Sequence, residues 1–307
     1  MSVPEDRGLV RPPRLRAGSR VALVAPAGPM AEERIEIALD RCRRFDLEPV
    51  LGRAARSRHV EYLAGSDEDR RDDLRRALTD PGIDAVWALR GGYGTMRLLR
   101  ALDLAPVRTS PRAYIGFSDN TAVHLALLAR GVVSFHGPHA GADATDLAER
   151  VLHRVLWDTE PAGVLEVPPD RPPLTLAAGT AEGHLVGGNL SLLAAMCGTP
   201  GAPRADGAIL FVEEIGEEGY RIDRAWTQLE LSGALDGVAG IAFGRFTDCD
   251  DGVFELLHRL TGSLGVPVVA DLPIGHEADN WTLPMGVKAR LDASGASLEI
   301  LEPAVTA

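Results

Sequence analysis

The residues best suited to chemistry lie in one short run, Tyr114-Ile115-Gly116-Phe117-Ser118-Asp119-Asn120-Thr121, which continues as Ala122-Val123-His124-Leu125-Ala126-Leu127-Leu128. An apolar strand that breaks into polar residues and resumes as a helix can lift one side chain clear of the sheet edge. The same turn leaves unpaired N–H groups at the new helix N-terminus. A serine held there can act as a nucleophile beside donors aimed at a developing oxyanion. Ser, Asp, Asn and Thr are also the preferred helix N-caps, so the run reads equally as a capped helix start.

A nucleophilic serine needs a base to take its proton and a carboxylate to orient that base. Of the eight histidines, His276 stands out, because Pro273-Ile274-Gly275 leads into it from the apolar stretch 268–272. Among the acids, Glu213 follows the apolar run 208–212. Its neighbour Glu214 must face the other way if the strand continues. Glu214 and Glu217 stay open as alternative carboxylates. The oxyanion needs two donors. The backbone N–H of Asp119, next after the nucleophile, is one. Gly92 or Gly91, in Arg90-Gly91-Gly92-Tyr93-Gly94, supplies the other, since glycine lets backbone approach a substrate closely. That loop lacks the spacing of a dinucleotide-binding turn.

What is missing narrows the chemistry further. Lys288 is the sole lysine, so no phosphate-binding loop has its lysine, and Met285 occupies the position that a Ser-x-x-Lys nucleophile would need. His136 and His139 invite a metal reading with Asp143. Pro138 between them breaks helical spacing and no further ligand set accompanies them, so no metal and no cofactor is expected. Cys42, Cys197 and Cys249 are scattered and odd in number, against a disulfide framework. A net charge of −12 argues against a grip on nucleic acid or anionic membrane. The N-terminus, with Pro4, Asp6, Pro12 and Pro13, has no apolar signal core, and a cytoplasmic protein is expected.

These residues must be positioned by a scaffold, and the first half alternates strand and helix. Strands are expected at 21–25, 49–51, 85–89 and 113–117, with helices at 31–45, from Ser66 onward, at 95–102 and after Ser118. Repeated β-α units with short apolar strands imply a parallel sheet covered by helices. Ligands sit beyond the carboxyl ends of such strands, where both Gly91-Gly92 and Ser118 fall. Five prolines between 158 and 180 suit an interdomain connection, or an edge strand with a long loop. The remainder reads as a smaller, strand-richer unit, with strands at 208–212, 238–243, 266–270, 289–291 and 297–300 and helices near 223–231 and 253–264. The expected division is 1–157, a linker at 158–180, and 181–307.

Taken in order, several segments closely resemble the LD-carboxypeptidase family of serine peptidases, which includes the microcin-immunity enzymes. They are Tyr62-Leu63-Ala64-Gly65-Ser66-Asp67-Glu68-Asp69-Arg70, the Arg90–Gly94 loop, the Ser118 run, His136-Gly137-Pro138, Gly187-Gly188-Asn189-Leu190, Phe211-Val212-Glu213-Glu214, Tyr220-Arg221-Ile222-Asp223-Arg224 and Pro273-Ile274-Gly275-His276. The likeness runs from about Arg14 to about Glu302. It implies a Rossmann-like N-terminal domain and a smaller β-rich α/β C-terminal domain. It selects Ser118, Glu213 and His276 as the catalytic set and places His136-Gly137-Pro138 on a wall of the cleft. The implied reaction removes the terminal D-alanine of a murein tetrapeptide in cell-wall recycling. The alternative it leaves is an immunity-type amidase acting on aminoacyl- or peptidyl-nucleotides, for which Trp281 is the available aromatic. Arg90, Arg221 and Arg224 are candidates for the substrate carboxylate, and the family implies a homodimer. The α/β-hydrolases share the Ser-acid-His order, but Asn120 stands where their second glycine belongs.

Overall fold

The computed structural model describes residues 8–307, so Pro4 and Asp6 of the N-terminal reading lie outside the described residues. The first half builds β1 (Arg20–Val24), α1 (Glu32–Arg44), β2 (Glu48–Leu51), α2 (Asp67–Thr79), β3 (Ala85–Ala88), α3 (Thr95–Leu99), β4 (Ala113–Gly116), α4 (Thr121–Leu128) and β5 (Phe135–His136). Local chemistry accounts for the starts. The Ser66 hydroxyl accepts the Asp69 N–H at 3.1 Å, and Asp67, Glu68 and Asp69 offset the positive end of α2. α1 buries Ile35, Ala38 and Cys42 at helical spacing against the sheet.

The second half adds α5 (Asp146–Trp157), β6 (Gly163–Val164), β7 (Leu174–Ala177), β8 (Thr180–Asn189), α6 (Leu190–Met196), β9 (Ala208–Ile215), α7 (Gly219–Leu231), β10 (Gly240–Thr247), α8 (Val253–Thr261), β11 (Val268–Ala270), β12 (Leu283–Pro284), β13 (Lys288–Asp292) and β14 (Ser297–Ile300).

Two sheets result among the described residues. The first has six strands in the order β12-β5-β4-β3-β1-β2, parallel except for β12. The second has eight, β6-β14-β13-β8-β9-β10-β11-β7, with a parallel centre from β8 to β11 and antiparallel flanks. The expected Rossmann-like first sheet and β-rich second half are both present. The second half nevertheless carries the larger sheet.

Residues 158–180 do more than connect. They supply β6 and β7, which pair with β14 and β11 and form the two edges of the second sheet. The five prolines of this stretch all fall outside β6 and β7, which is how a Pro-rich segment can still hold two strands. The chain also crosses back: β12 pairs with β5, Leu283 opposite His136 and Pro284 opposite Phe135. One buried cluster runs through both sheets and includes Trp87, Phe135, Phe211 and Trp281. The two sheets are thereby fixed against each other beside the ends of β4 and β9. No helix among the described residues is long and apolar enough to cross a membrane.

Candidate active site

Ser118 sits in the turn between β4 and α4, on a single turn of 3-10 helix at Ser118–Asn120. Its φ is +59°, a conformation that costs a residue with a Cβ. The strain is held by its neighbours. Asn120 is fully buried; its amide donates to the Phe117 carbonyl at 3.0 Å, and its carbonyl accepts the Tyr114 hydroxyl. The Asp119 carboxylate accepts the Thr95 N–H at 2.8 Å, and the Thr95 hydroxyl donates to the Asp119 carbonyl. Asp119 thus caps α3, whose own N-cap position is Gly94. Burial raises its pKa against the opposing donors of Thr95 and Gly94. The turn therefore projects Ser118 while its flanking side chains lock it to both neighbouring helices.

His276 reaches the serine from the other sheet. Its Nε2 lies 3.0 Å from Ser118 Oγ and its Nδ1 lies 2.7 Å from Glu213 Oε2. A carboxylate only accepts, so Nδ1 carries the proton and Nε2 is free to accept the serine O–H. Glu213 is fully buried on β9. The strand runs on to Ile215, so Glu213 lies within it and not at its end as the apolar run suggested. The period-two rule still holds. Glu214 points away and accepts from Asn189 Nδ2 at 2.7 Å, the Ser191 N–H at 2.8 Å and the Ser191 hydroxyl at 2.6 Å, fastening the start of α6. Glu217 lies 3.7 Å from Arg221. Neither alternative acid bonds His276.

Gly275 makes the approach possible. Its φ is +121°, and a Cβ there would stand 2.8 Å from Glu213 Oε2. Only glycine satisfies both conditions.

Three histidines surround Phe117, whose ring lies 4.7 Å from His276, 4.2 Å from His139 and 5.9 Å from His136, and a fourth, His124, lies 6.2 Å from His136. Burial is the largest influence on all four, and it disfavours the cation. His124 is pushed down to about 4 and His139 to about 3, while His136 is driven well below its usual value. For His276 the charge and hydrogen bond of Glu213, with Glu214 behind it, outweigh burial and the pKa rises. One histidine of the cluster is therefore shifted up, while burial shifts the other three down.

His136 is completely buried, with its ring 5.9 Å from that of Phe117. His139 directs Nε2 at the Phe117 carbonyl, 3.1 Å away, while Asp143 is an exposed partner of Arg34 at 2.6 Å. No group of three or more His, Cys, Asp or Glu among the described residues is arranged to hold a metal.

The two glycines separate clearly. A Cβ on Gly91 would lie 2.9 Å from Ser118 Cβ, 3.0 Å from its Oγ and 3.3 Å from the Asp119 nitrogen. A Cβ on Gly92 would instead face Gly28, 3.6 Å from its Cα. The Gly28 N–H donates to the Gly91 carbonyl at 3.0 Å, tying the ends of β1 and β3 together under the nucleophile. Arg90 stays at this rim, bonded to the Pro29 carbonyl at 2.9 Å. Arg221 and Arg224 flank the exposed ring of Tyr220 at 5.7 and 5.2 Å. Trp281 is fully buried and donates to the Glu166 carbonyl at 2.7 Å, so its ring is not a surface for a base.

A serine, a histidine and a carboxylate in hydrogen-bonded series define hydrolase chemistry of the acyl-transfer type. The LD-carboxypeptidase N-terminal domain matches residues 21–137 and the LD-carboxypeptidase C-terminal domain matches residues 182–291, and the chain belongs to this family. A Streptomyces coelicolor protein, named a carboxypeptidase by assignment, is 45% identical over 307 residues, spanning 97% of this chain and 98% of its own. The murein tetrapeptide carboxypeptidase of Pseudomonas aeruginosa is 36% identical over 288 residues, 90% of this chain and 94% of its own. The crystal structure of the muramoyltetrapeptide carboxypeptidase from Oxalobacter formigenes superposes with a TM-score of 0.80 at 33% identity, covering 92% of this chain and 99% of that one.

Proposed function

We propose that this protein is a metal-independent serine carboxypeptidase that removes the terminal D-alanine from murein tetrapeptides in the cytoplasm. The observation that carries the reading is the series Ser118 Oγ, His276 Nε2 and Nδ1, Glu213 Oε2, with links of 3.0 and 2.7 Å. The family and the murein-directed relatives support the substrate class.

In this reading Ser118 Oγ attacks the scissile carbonyl carbon while His276 Nε2 takes its proton. The tetrahedral oxyanion is met by the Asp119 N–H and by a Gly91 or Gly92 N–H, with Gly91 the nearer to the serine. His276 then returns the proton to the departing D-alanine nitrogen, leaving an acyl-serine. Water, deprotonated by His276, releases the shortened peptide. Glu213 fixes the histidine tautomer and stabilises its cation. Arg90, at the rim beside Gly28 and Gly92, takes the terminal carboxylate. The first domain, 1–157, contributes the nucleophile, and 181–307, reached through 158–180, contributes Glu213 and His276. A homodimer fits the family.

The test is mass spectrometry of a murein tetrapeptide before and after incubation with the purified protein. Conversion to tripeptide with free D-alanine supports the reading. An intact tetrapeptide, with cleavage of an aminoacyl-nucleotide amide instead, transfers the site to the immunity-type reaction.

A further inference from the structure

The loop that presents His276 carries three acids, Asp271, Glu277 and Asp279, and two arginines close on it from opposite sides. Arg245, on β10, is almost wholly buried. Its backbone N–H donates to the Ile274 carbonyl at 2.8 Å. Its guanidinium donates to the Asp271 carbonyl and lies 2.7 Å from Asp271 Oδ1, 3.1 Å from Asp279 Oδ2 and 3.8 Å from Glu277 Oε2. Arg171 lies between β6 and β7, in the Pro-rich stretch 158–180. It forks onto Asp271 at 2.8 and 2.9 Å and onto Glu277 at 2.8 and 3.0 Å.

Both ends of the loop are therefore gripped. Asp271 is bound by both arginines and holds a left-handed φ of +61°, an unfavourable conformation for a residue with a Cβ. Glu277 is the next residue after His276. A buried arginine left without its acids, or the acids without it, carries a heavy desolvation cost, so the arrangement favours one loop geometry over its neighbours. That geometry puts His276 between two partners at once, and small displacements are expensive: a shift of about 1 Å costs on the order of 100-fold in rate.

We infer that Arg245 is a positioning residue for His276, and that Arg171 is a second, outer latch through which the 158–180 segment holds the same loop. The inference rests on Ser118 and His276 acting together as proposed above. It adds a role for residues that touch neither substrate nor the reacting atoms. Arg245 fixes the inner wall of the loop, and Arg171 closes it from the surface.

The experiment compares wild type with Arg171→Ala, Arg245→Lys and Arg245→Met, with Arg290→Ala as control. Arg290 makes comparable surface pairs, with Glu182 and Glu299, on β13. Three readouts are taken: the rate of Ser118 labelling by a fluorophosphonate, kcat and KM for D-alanine release, and hydrogen exchange of residues 271–281. The expected result for Arg171→Ala is faster loop exchange, labelling and kcat lowered roughly 10-fold, within the 100-fold that misplacement can cost, and KM close to wild type. Arg245→Lys should recover part of what Arg245→Met loses, and Arg290→Ala should match wild type. Where Arg245→Met does not fold, Arg171→Ala and Arg245→Lys carry the comparison. Faster loop exchange with unchanged labelling and kcat in Arg171→Ala overturns the assignment, as does an equal loss in Arg290→Ala. A wild-type protein that neither labels nor releases D-alanine overturns the Ser118 reading itself. Loop exchange in the variants would then mark the arginines as purely structural.

Discussion

His276 Nε2 and Ser118 Oγ lie 3.0 Å apart although 158 residues separate them and each hangs from a different sheet. The relationship depends on the packing of two sheets, the first of which takes its edge strand β12 from the second half of the chain, and whose cores merge around Phe135, Phe211 and Trp281. Loosening that junction should lengthen the bond before it unfolds either sheet.

The histidine–carboxylate link is the first to test. Glu213→Gln keeps the shape of the side chain but can donate to Nδ1, favouring the wrong tautomer. A loss in kcat on the order of 10³–10⁴-fold is expected by analogy with the same change in serine proteases, with KM little altered. Steady-state kinetics on a murein tetrapeptide measures it. A loss under threefold would remove Glu213 from the mechanism.

The pH profile carries a definite sign. His276 must be neutral to accept the serine proton, and Glu213 raises its pKa above the ordinary 6.5 in spite of burial. Activity should therefore climb with pH through a limb displaced above 6.5. Glu213→Gln removes the charge that raises it, so the residual activity should show its limb at lower pH. A limb that stays in place in the variant would assign the titration to another group.

Two glycines are predicted to be intolerant for different reasons. Gly91→Ala adds a methyl group 3.0 Å from Ser118 Oγ and should depress kcat with the fold intact. Gly275→Ala combines a φ of +121° with a contact of 2.8 Å to Glu213 and should cost both activity and thermal stability. Melting curves beside kinetics separate the two. Equal melting losses for both would contradict the distinction.

Asp119, whose N–H is assigned to the oxyanion in the proposed mechanism, also supports stability. Asp119→Ala leaves the Thr95 N–H without its acceptor inside the protein, a loss of about 1–3 kcal/mol for such a buried group. A lower melting temperature checks this. An unchanged one would show that the cap on α3 is dispensable.

Much of this arrangement was legible in the residues, and the failures have physical causes. The strand-turn-helix around Ser118 announced itself by its abrupt change of polarity, and the Pro-Ile-Gly lead into His276 by its rigidity. β8 was missed because Gly183, Gly187 and Gly188 give its sequence the look of a loop. Gly187 is needed there because a Cβ would fall 1.8 Å from the Phe211 carbonyl oxygen of the neighbouring strand. α5 left a signal that could have been read: Val151, Leu152, Val155 and Leu156 recur at helical spacing behind Thr145, whose hydroxyl accepts the Ala148 N–H. The two-residue strands β5, β6 and β12 carry no periodicity and exist only through their partners. The same holds for Arg171 and Arg245, whose acids lie 26 to 106 residues away along the chain.

The central claim is that Ser118 is the nucleophile of a carboxypeptidase. Its most direct test is D-alanine release from a purified murein tetrapeptide by wild type and by Ser118→Ala, each with and without a chelator. Release by wild type that survives the chelator and vanishes in Ser118→Ala is the predicted result. Full release by Ser118→Ala would contradict the account.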